Sequence, residues 1–275
     1  MKISIITVCF NEEKNIKATI NSVLRQKSTD YEYIICDGKS TDKTVEFAES
    51  YRSKFEKLGI NYTIKSERDG GIYCGMNNGI DLATGDYVIF MNAGDCFHGE
   101  YAITNIVDSL EVSNLPDVIY GDATYVERGF YKIWRAGNIS KINNGLPFCH
   151  QSCLVLTDLI KNNKFDTSFK ICADYDMLAK FYIEKKKFLY VNIVISDFYF
   201  GGISSVNHKE TGKERAFICE KYNFEFNEKK DKIRIIRNVL IAKLKKIIPN
   251  ILWRFLCIYI RHWSPAIELN NEINN

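Results

Sequence analysis

The sequence predicts an α/β fold, a mostly parallel central sheet flanked by helices, and three observations carry that expectation. Strand and helix signals alternate through the first 95 residues. The opening strand is apolar and β-branched along its length, as a strand covered on both faces must be. Each of the first four strands then runs out into polar residues, at the strand ends where open sheets of this kind bind ligands.

The elements follow in order. Residues 3–10 form the first strand, and residues 12–26 follow with Ile16, Ile20, Val23 and Leu24 at helical spacing. Residues 33–36 read as a second strand closed by Asp37-Gly38. Ser40-Thr41-Asp42 then caps a helix through Tyr51, with Val45, Phe47, Ala48 and Tyr51 to bury. Residues 62–65, 73–83 and 87–91 continue as strand, helix and strand. Beyond Asp95 the alternation loosens. A helix is expected over 102–110, a strand over 118–120, and a β-rich stretch over 124–134 with a turn at Arg128-Gly129. A helix over 173–184, a strand over 188–195 and a polar, glycine-bearing loop over 201–215 complete the body.

Composition sets the outer bounds. The 275 residues are 46% hydrophobic and 26% charged, which suits a buried core and excludes extensive disorder. Nine cysteines, an odd number, are scattered through apolar stretches, and Cys149 and Cys153 lack a second pair to complete a zinc site. They read as single thiols in a reducing compartment. The apolar run after Met1-Lys2 is too short for a signal-peptide core, so the body is expected in the cytoplasm.

The polar strand ends supply the first chemistry: Asn11 and Glu12 after strand one, Asp37 after strand two, Glu67 and Asp69 after strand three, Asn92 and Asp95 after strand four. Any one of them could simply meet water. Several carboxylates converging on one rim suit a divalent metal together with ribose or base contacts.

At this point the residues resemble a known family. Thr7-Val8-Cys9-Phe10-Asn11-Glu12 and Asp37-Gly38-Lys39-Ser40-Thr41-Asp42 look like the opening motifs of the family 2 glycosyltransferases with the GT-A fold. Ser66-Glu67-Arg68-Asp69-Gly70-Gly71-Ile72-Tyr73 with Met76-Asn77-Asn78-Gly79 is similar to a motif of a bacterial surface-polysaccharide branch. Phe90-Met91-Asn92-Ala93-Gly94-Asp95 stands where the family places its metal-binding acidic motif. His150-Gln151, Ala173-Asp174-Tyr175-Asp176 and Gly201-Gly202-Ile203-Ser204 match later landmarks in the right order. Each motif is weak by itself; together they cover residues 3–206 in sequence.

The resemblance implies a GT-A domain over 1–215, with 1–97 the nucleotide-sugar half and 98–215 the acceptor half. It implies an inverting hexosyl- or N-acetylhexosaminyltransferase that uses a UDP- or dTDP-linked sugar, Mn2+ or Mg2+, and a lipid-linked or oligosaccharide acceptor. Asp174 matches the general base. Thr7, Phe10, Asn11, Glu12, Asp37, Ser40, Glu67, Asp69, Gly71, Met76, Asn77 and Asn92 fall on the donor side, with Asp37 accepting from the imide N–H of uracil. Asp95 matches the metal ligand, with His208 a further candidate, and His150, Gln151 and Asp176 fall on the acceptor side. Asp174 and Asp176 are two residues apart and cannot share a helix face, so Asp176 is alternatively placed beside a cation or the helix N-terminus. The metal motif departs from the family's, because Asn92 and Gly94 stand where aspartates are common. That leaves open a non-catalytic nucleotide- or glycan-binding partner as the alternative function.

The net charge of +3 conceals an asymmetry. Residues 229–261 hold ten Lys/Arg against one acid, Asp231, while residues 1–228 are net negative. Ile233, Ile236, Val239, Leu240, Leu244, Ile247 and Ile248 recur near helical spacing, and after Pro249 an aromatic-rich stretch follows with Trp253, Phe255 and Tyr259. These stretches fall short of the roughly 20 apolar residues that span a bilayer. The segment over 216–275 is therefore expected to lie peripherally on an anionic membrane surface through residues 231–263, at the inner face of the cell membrane. The alternative is that it packs back on the body. No nucleic-acid module accompanies the basic run. A dinucleotide-dependent oxidoreductase is disfavoured, because Asn11-Glu12-Glu13-Lys14-Asn15 offers no glycine to a pyrophosphate at the first strand-to-helix turn.

Overall fold

The computed structural model describes residues 1–28, 30–110, 115–127, 129–199, 207–226, 228–255, 257 and 264–265. Arg128 of the expected turn, Gly201-Gly202-Ile203-Ser204, Tyr259 and residues 258–263 of the expected membrane-facing stretch lie outside the described residues.

Four parallel strands form the first block, in the order β3 (Tyr62–Ser66), β2 (Tyr31–Asp37), β1 (Ile3–Cys9), β4 (Tyr87–Phe90). All seven residues of β1 are buried, as its apolar sequence requires. The strand's period of two divides them between two cores. Ile3, Ile5 and Cys9 pack with Ile16, Ile20 and Val23 of helix α1 (Ile16–Leu24) and with Phe55. Ile6 and Val8 pack on the other face with Tyr73, Met76 and Ile80 of helix α4 (Ile72–Leu82) and with Leu178 and Phe181. At about 1.5–3 kcal/mol per fully buried large apolar side chain, these two layers fix the direction of every strand end in the block.

Beyond the parallel block the sheet is extended by antiparallel strands. Strand β8 (Cys153–Leu156) runs antiparallel to β4, and β6 (Val118–Glu127) runs antiparallel to β8. A hairpin joins β6 to β7 (Phe130–Trp134), while β9 (Phe188–Tyr199) lies parallel to β6 and antiparallel to β5 (Cys96–Phe97). The sequence predicts strands where β6, β7 and β9 lie but none at β5 or β8, and strand direction depends on connections that carry no periodic signal.

Other boundaries moved for local reasons. The expected helix through Tyr51 is two short ones, α2 (Thr44–Glu49) and α3 (Arg52–Lys57), with Asp42 Oδ1 accepting from the Thr44 N–H at 3.0 Å at the entry. The expected loop over 201–215 is helical from His208 onward. Counting α5 (Ala102–Asp108), α6 (Thr157–Asn162) and α7 (Ala173–Ile183), this is α8 (His208–Lys221).

Helices α9 (Glu228–Ile247) and α10 (Asn250–Phe255) follow. Trp253 and Cys257 pack with Phe130 in a small separate core, which ties this end of the chain to the β6–β7 hairpin. Among the described side chains of α9, Ile233, Ile236 and Leu240 are exposed, and Ile247 is 78% exposed. Among the described residues no helix is long and apolar enough to cross a membrane. All nine cysteines are free thiols.

Candidate active site

The carboxyl ends of the parallel strands gather two adjoining groups of side chains. The first is built by the loops after β1, β2 and β3. Asn11 takes a positive φ of 55°, which lets its Oδ1 accept from the Thr41 N–H at 2.9 Å while its own N–H donates to Ser40 Oγ at 2.8 Å. Asp69 lies against Gly38 and Gly75, and a Cβ at Gly75 would stand 2.9 Å from Asp69 Oδ2. Phe10 is exposed beside Gly38. Gly71, at φ 121°, opens α4 and donates its N–H to Asp69 Oδ1 at 3.0 Å. Glu67 pairs with Lys65 at 2.7 Å on the exposed rim.

Asp37 is at this rim but turned inward. It is 2% exposed, and its carboxylate accepts from the Ser40 N–H at 2.9 Å, the Ser40 hydroxyl and the Ser66 hydroxyl at 2.6 Å. It holds the β2 loop to the end of β3. Three other residues expected on the donor side are likewise engaged within the protein. Thr7 is buried, bonded to Tyr33 Oη at 2.9 Å and donating to the Met91 carbonyl at 2.6 Å. Met76 belongs to the core under α4. Asn77 is a clamp: its amide donates to the Phe165 carbonyl at 2.9 Å and its Oδ1 accepts from the Phe165 N–H at 3.0 Å.

The second group brings together residues far apart in sequence. Asp95, 6% exposed, accepts from the Tyr199 N–H at 3.3 Å and from Gln151, and it feels the Glu12 carboxylate. Burial, opposed by those two donors, pushes its carboxyl up to about 7. Gln151 is in the short 3-10 turn His150–Ser152. The His150 ring stacks on Phe90 at 5.4 Å and meets Phe165 edge-on at 5.9 Å. Burial lowers the affinity of that imidazole for a proton, and Asp174 acts against this. Asp174, half-buried, is the second residue of α7. Its Oδ1 accepts from the Tyr175 N–H at 2.8 Å and stands 3.3 Å from Tyr73 Oη. Burial raises its carboxyl, with His150, the Tyr175 N–H and Tyr73 opposing. A half-buried carboxyl beside an imidazole and a phenol can take up and release a proton.

Asp176 is not part of this group. It is buried and ion-paired with Lys221 of α8 at 2.7 Å, on a different face of α7. His208 opens α8 as its first residue, and among the described residues it makes no hydrogen bond or ion pair with Asp95. Sequence reasoning missed Glu214, which accepts from three backbone N–H groups just before α7, and Tyr199, which reaches Asp95 through its backbone. Neither has a signal in the sequence, because both act across folds of the chain.

A divalent cation fits this donor set. Asn92 Oδ1 is a buried acceptor with no hydrogen-bond partner among the described residues, and burial raises the carboxyl of Asp95 beside it. Among the described residues no three His, Cys, Asp or Glu side chains gather to hold an ion by themselves. The protein groups fit an ion of the Mg2+ or Mn2+ type that takes one or two side chains and completes its shell with phosphate oxygens and water.

The arrangement of sheet and helices is that of the GT-A glycosyltransferases. The chain is similar to Staphylococcus aureus TarS 1–349 in complex with UDP, with a TM-score of 0.60 at 20% identity over 84% of this chain and 68% of that one. It is also similar to the mannosyltransferase PcManGT from Pyrobaculum calidifontis in complex with GDP-Man and Mn2+, with a TM-score of 0.62 at 14% identity over 86% and 68%. At these identities the likeness speaks to the fold. The family model "Glycosyl transferase family 2" matches residues 4–185, and the chain belongs to that family and is a glycosyltransferase. Among its relatives, the poly(ribitol-phosphate) beta-N-acetylglucosaminyltransferase TarP of Staphylococcus aureus is 30% identical over 78% of this chain and 68% of its own length. A PGL/p-HBAD biosynthesis glycosyltransferase of Mycobacterium tuberculosis is 26% identical over 74% and 78%.

Proposed function

We propose that the chain transfers a hexose or N-acetylhexosamine from a UDP-linked donor, with inversion, onto a glycan or polyprenyl-linked acceptor in bacterial surface-polysaccharide synthesis. The observation that carries this reading is the convergence of Asp95 and Asp174 through Gln151 and His150 at the carboxyl ends of the parallel strands. The acceptor class is supported by the TarP relative, whose name records transfer of N-acetylglucosamine to a polyol phosphate polymer.

In this reading the Asp174 carboxylate takes the proton of the acceptor hydroxyl. The hydroxyl oxygen forms its bond to the anomeric carbon while the bond from that carbon to the diphosphate oxygen breaks on the opposite face, which inverts the centre. Asp95 and Asn92 are the side chains that would hold a divalent cation, which when bound offsets the charge on the departing diphosphate. Phe10, Asn11, Glu12, Ser40, Glu67, Asp69 and Gly71 form the rim available to the nucleotide. Asp37 acts there by fixing the loop through Ser40.

Calorimetric titration with UDP, dTDP, GDP and CDP, each with and without Mn2+, tests the donor assignment. UDP binding that strengthens at least about tenfold with Mn2+, and that Asp95→Ala removes, is the expected result. Absence of binding by all four would overturn it.

We further infer that the protein works at an anionic membrane surface through α9. Its exposed Ile233, Ile236, Leu240 and Ile247 share the helix with exposed Lys232, Arg237 and Lys243, the composition of an interfacial helix. Co-sedimentation with phosphatidylglycerol vesicles but not with phosphatidylcholine vesicles is expected. Equal recovery in the supernatant with both would contradict it.

A further inference from the structure

We propose that Glu214 is a positioning residue for the transfer reaction, fixing the turn that delivers Asp174 to the site. This rests on the reading of Asp174 as the base. Its carboxylate accepts from the N–H groups of Lys170 at 2.8 Å, Ile171 at 3.0 Å and Cys172 at 2.8 Å, three consecutive residues immediately before α7. The last of these donors, Cys172, is the residue at the cap of α7, whose N–H has no intrahelical acceptor; the other two lie in the turn leading into it. The residue at the cap position, Cys172, makes no side-chain cap hydrogen bond, so the anionic cap comes from another helix. Carboxylate-to-N–H bonds are short and strong, and a negative charge at a helix N-terminus adds to them.

The same peptide is held from the opposite direction. Tyr73 of α4 donates its hydroxyl to the Ile171 carbonyl and lies 3.3 Å from Asp174 Oδ1. Ile171 is therefore gripped by α8 through its N–H and by α4 through its carbonyl, three residues ahead of Asp174. A second tie keeps α8 in register: Lys221, two turns after Glu214, pairs with Asp176 at 2.7 Å. Asp174 thus stands where α4 and α8 together set the turn. Without the Glu214 carboxylate, three N–H groups lose their acceptor and the turn relaxes toward water. Displacement of a reacting group by about 1 Å can cost about a hundredfold in rate.

The test compares Glu214→Gln, Glu214→Ala and Asp174→Asn with UDP-N-acetylglucosamine as the donor and turnover read as UDP released. The expected result for Glu214→Ala is a kcat lowered about 10- to 100-fold with the donor KM within about twofold of wild type. Glu214→Gln, which keeps an acceptor oxygen at the same reach, recovers part of that loss. Hydrogen–deuterium exchange supplies a readout independent of turnover: in Glu214→Ala the amides of 170–172 exchange faster while those of 177–183 do not change. Wild-type kcat in Glu214→Ala beside an inactive Asp174→Asn overturns the role of Glu214 and leaves the base assignment standing. Faster exchange throughout α7, with donor KM rising in step with the fall in kcat, makes Glu214 a general stabiliser and also overturns it. Wild-type turnover by Asp174→Asn overturns the base assignment and the inference with it.

Discussion

Replacing Glu32 by Gln should destabilise the fold at neutral pH without altering the site. Glu32 is 1% exposed at the end of the parallel block opposite the strand ends that carry the site. It accepts from Ser4 Oγ at 2.7 Å, Thr84 Oγ1 at 2.7 Å, the Gly85 N–H at 3.2 Å and Lys2 Nζ at 3.0 Å, so one carboxylate joins β1, β2 and the entry to β4. Burial by itself would raise this carboxyl, but the bonds from Ser4, Thr84 and Lys2 overcome it and hold the group at about 2. At about 1.4 kcal/mol per tenfold change in proton affinity, the difference from its ordinary 4.5 contributes on the order of 3 kcal/mol. The folded-state value is depressed, so this stability is fully present above pH 4.5 and is lost as pH falls through about 2. Glu32→Gln cannot ionise and turns an amide toward the Thr84 and Gly85 N–H groups. Its melting temperature at pH 7 should fall by about 5–10 °C, read by scanning calorimetry. The gap to wild type should close progressively below pH 4.5. A melting temperature within about 1 °C of wild type at pH 7, or a gap of the same size at pH 2.5 and pH 7, would refute the reasoning.

Asn77→Ala leaves the Phe165 N–H and carbonyl without their clamp and should cost about 2–4 kcal/mol in urea unfolding. Because Phe165 packs on both His150 and Tyr73, kcat should fall as well. Gly79→Ala places a Cβ 2.5 Å from Ile6 Cγ2 where α4 crosses β1, and should lower stability by about 1–3 kcal/mol in the same assay.

Much of this architecture was legible because it depends on short-range pattern. The full burial of β1 follows from its unbroken apolar run, and the gathering of polar residues at four strand ends follows from strand–helix alternation. Placing Asp174 and Asp176 on separate faces follows from helix geometry, and Lys221 turns out to be the cation that Asp176 meets. Other contacts at the site have long-range causes. Asp37 is satisfied by Ser66, 29 residues on, and Asn77 by Phe165, 88 residues on, and no local spacing reveals either partner. The burial of Met76 was legible, since Tyr73, Met76 and Ile80 mark one buried helical stripe. Helix α8 escaped notice because Gly212 and its charged residues mask a weak apolar pattern. That helix nevertheless brings Glu214 and Lys221 to α7.

The central claim is that Asp174 takes the acceptor proton. The most direct measurement is single-turnover transfer by Asp174→Asn, with donor affinity measured on the same protein. The Asn side chain keeps an acceptor for the Tyr175 N–H and Tyr73, so donor affinity should stay within about twofold of wild type while the transfer rate falls about 10²- to 10⁴-fold. Transfer at the wild-type rate by a folded, donor-binding Asp174→Asn protein would contradict the claim.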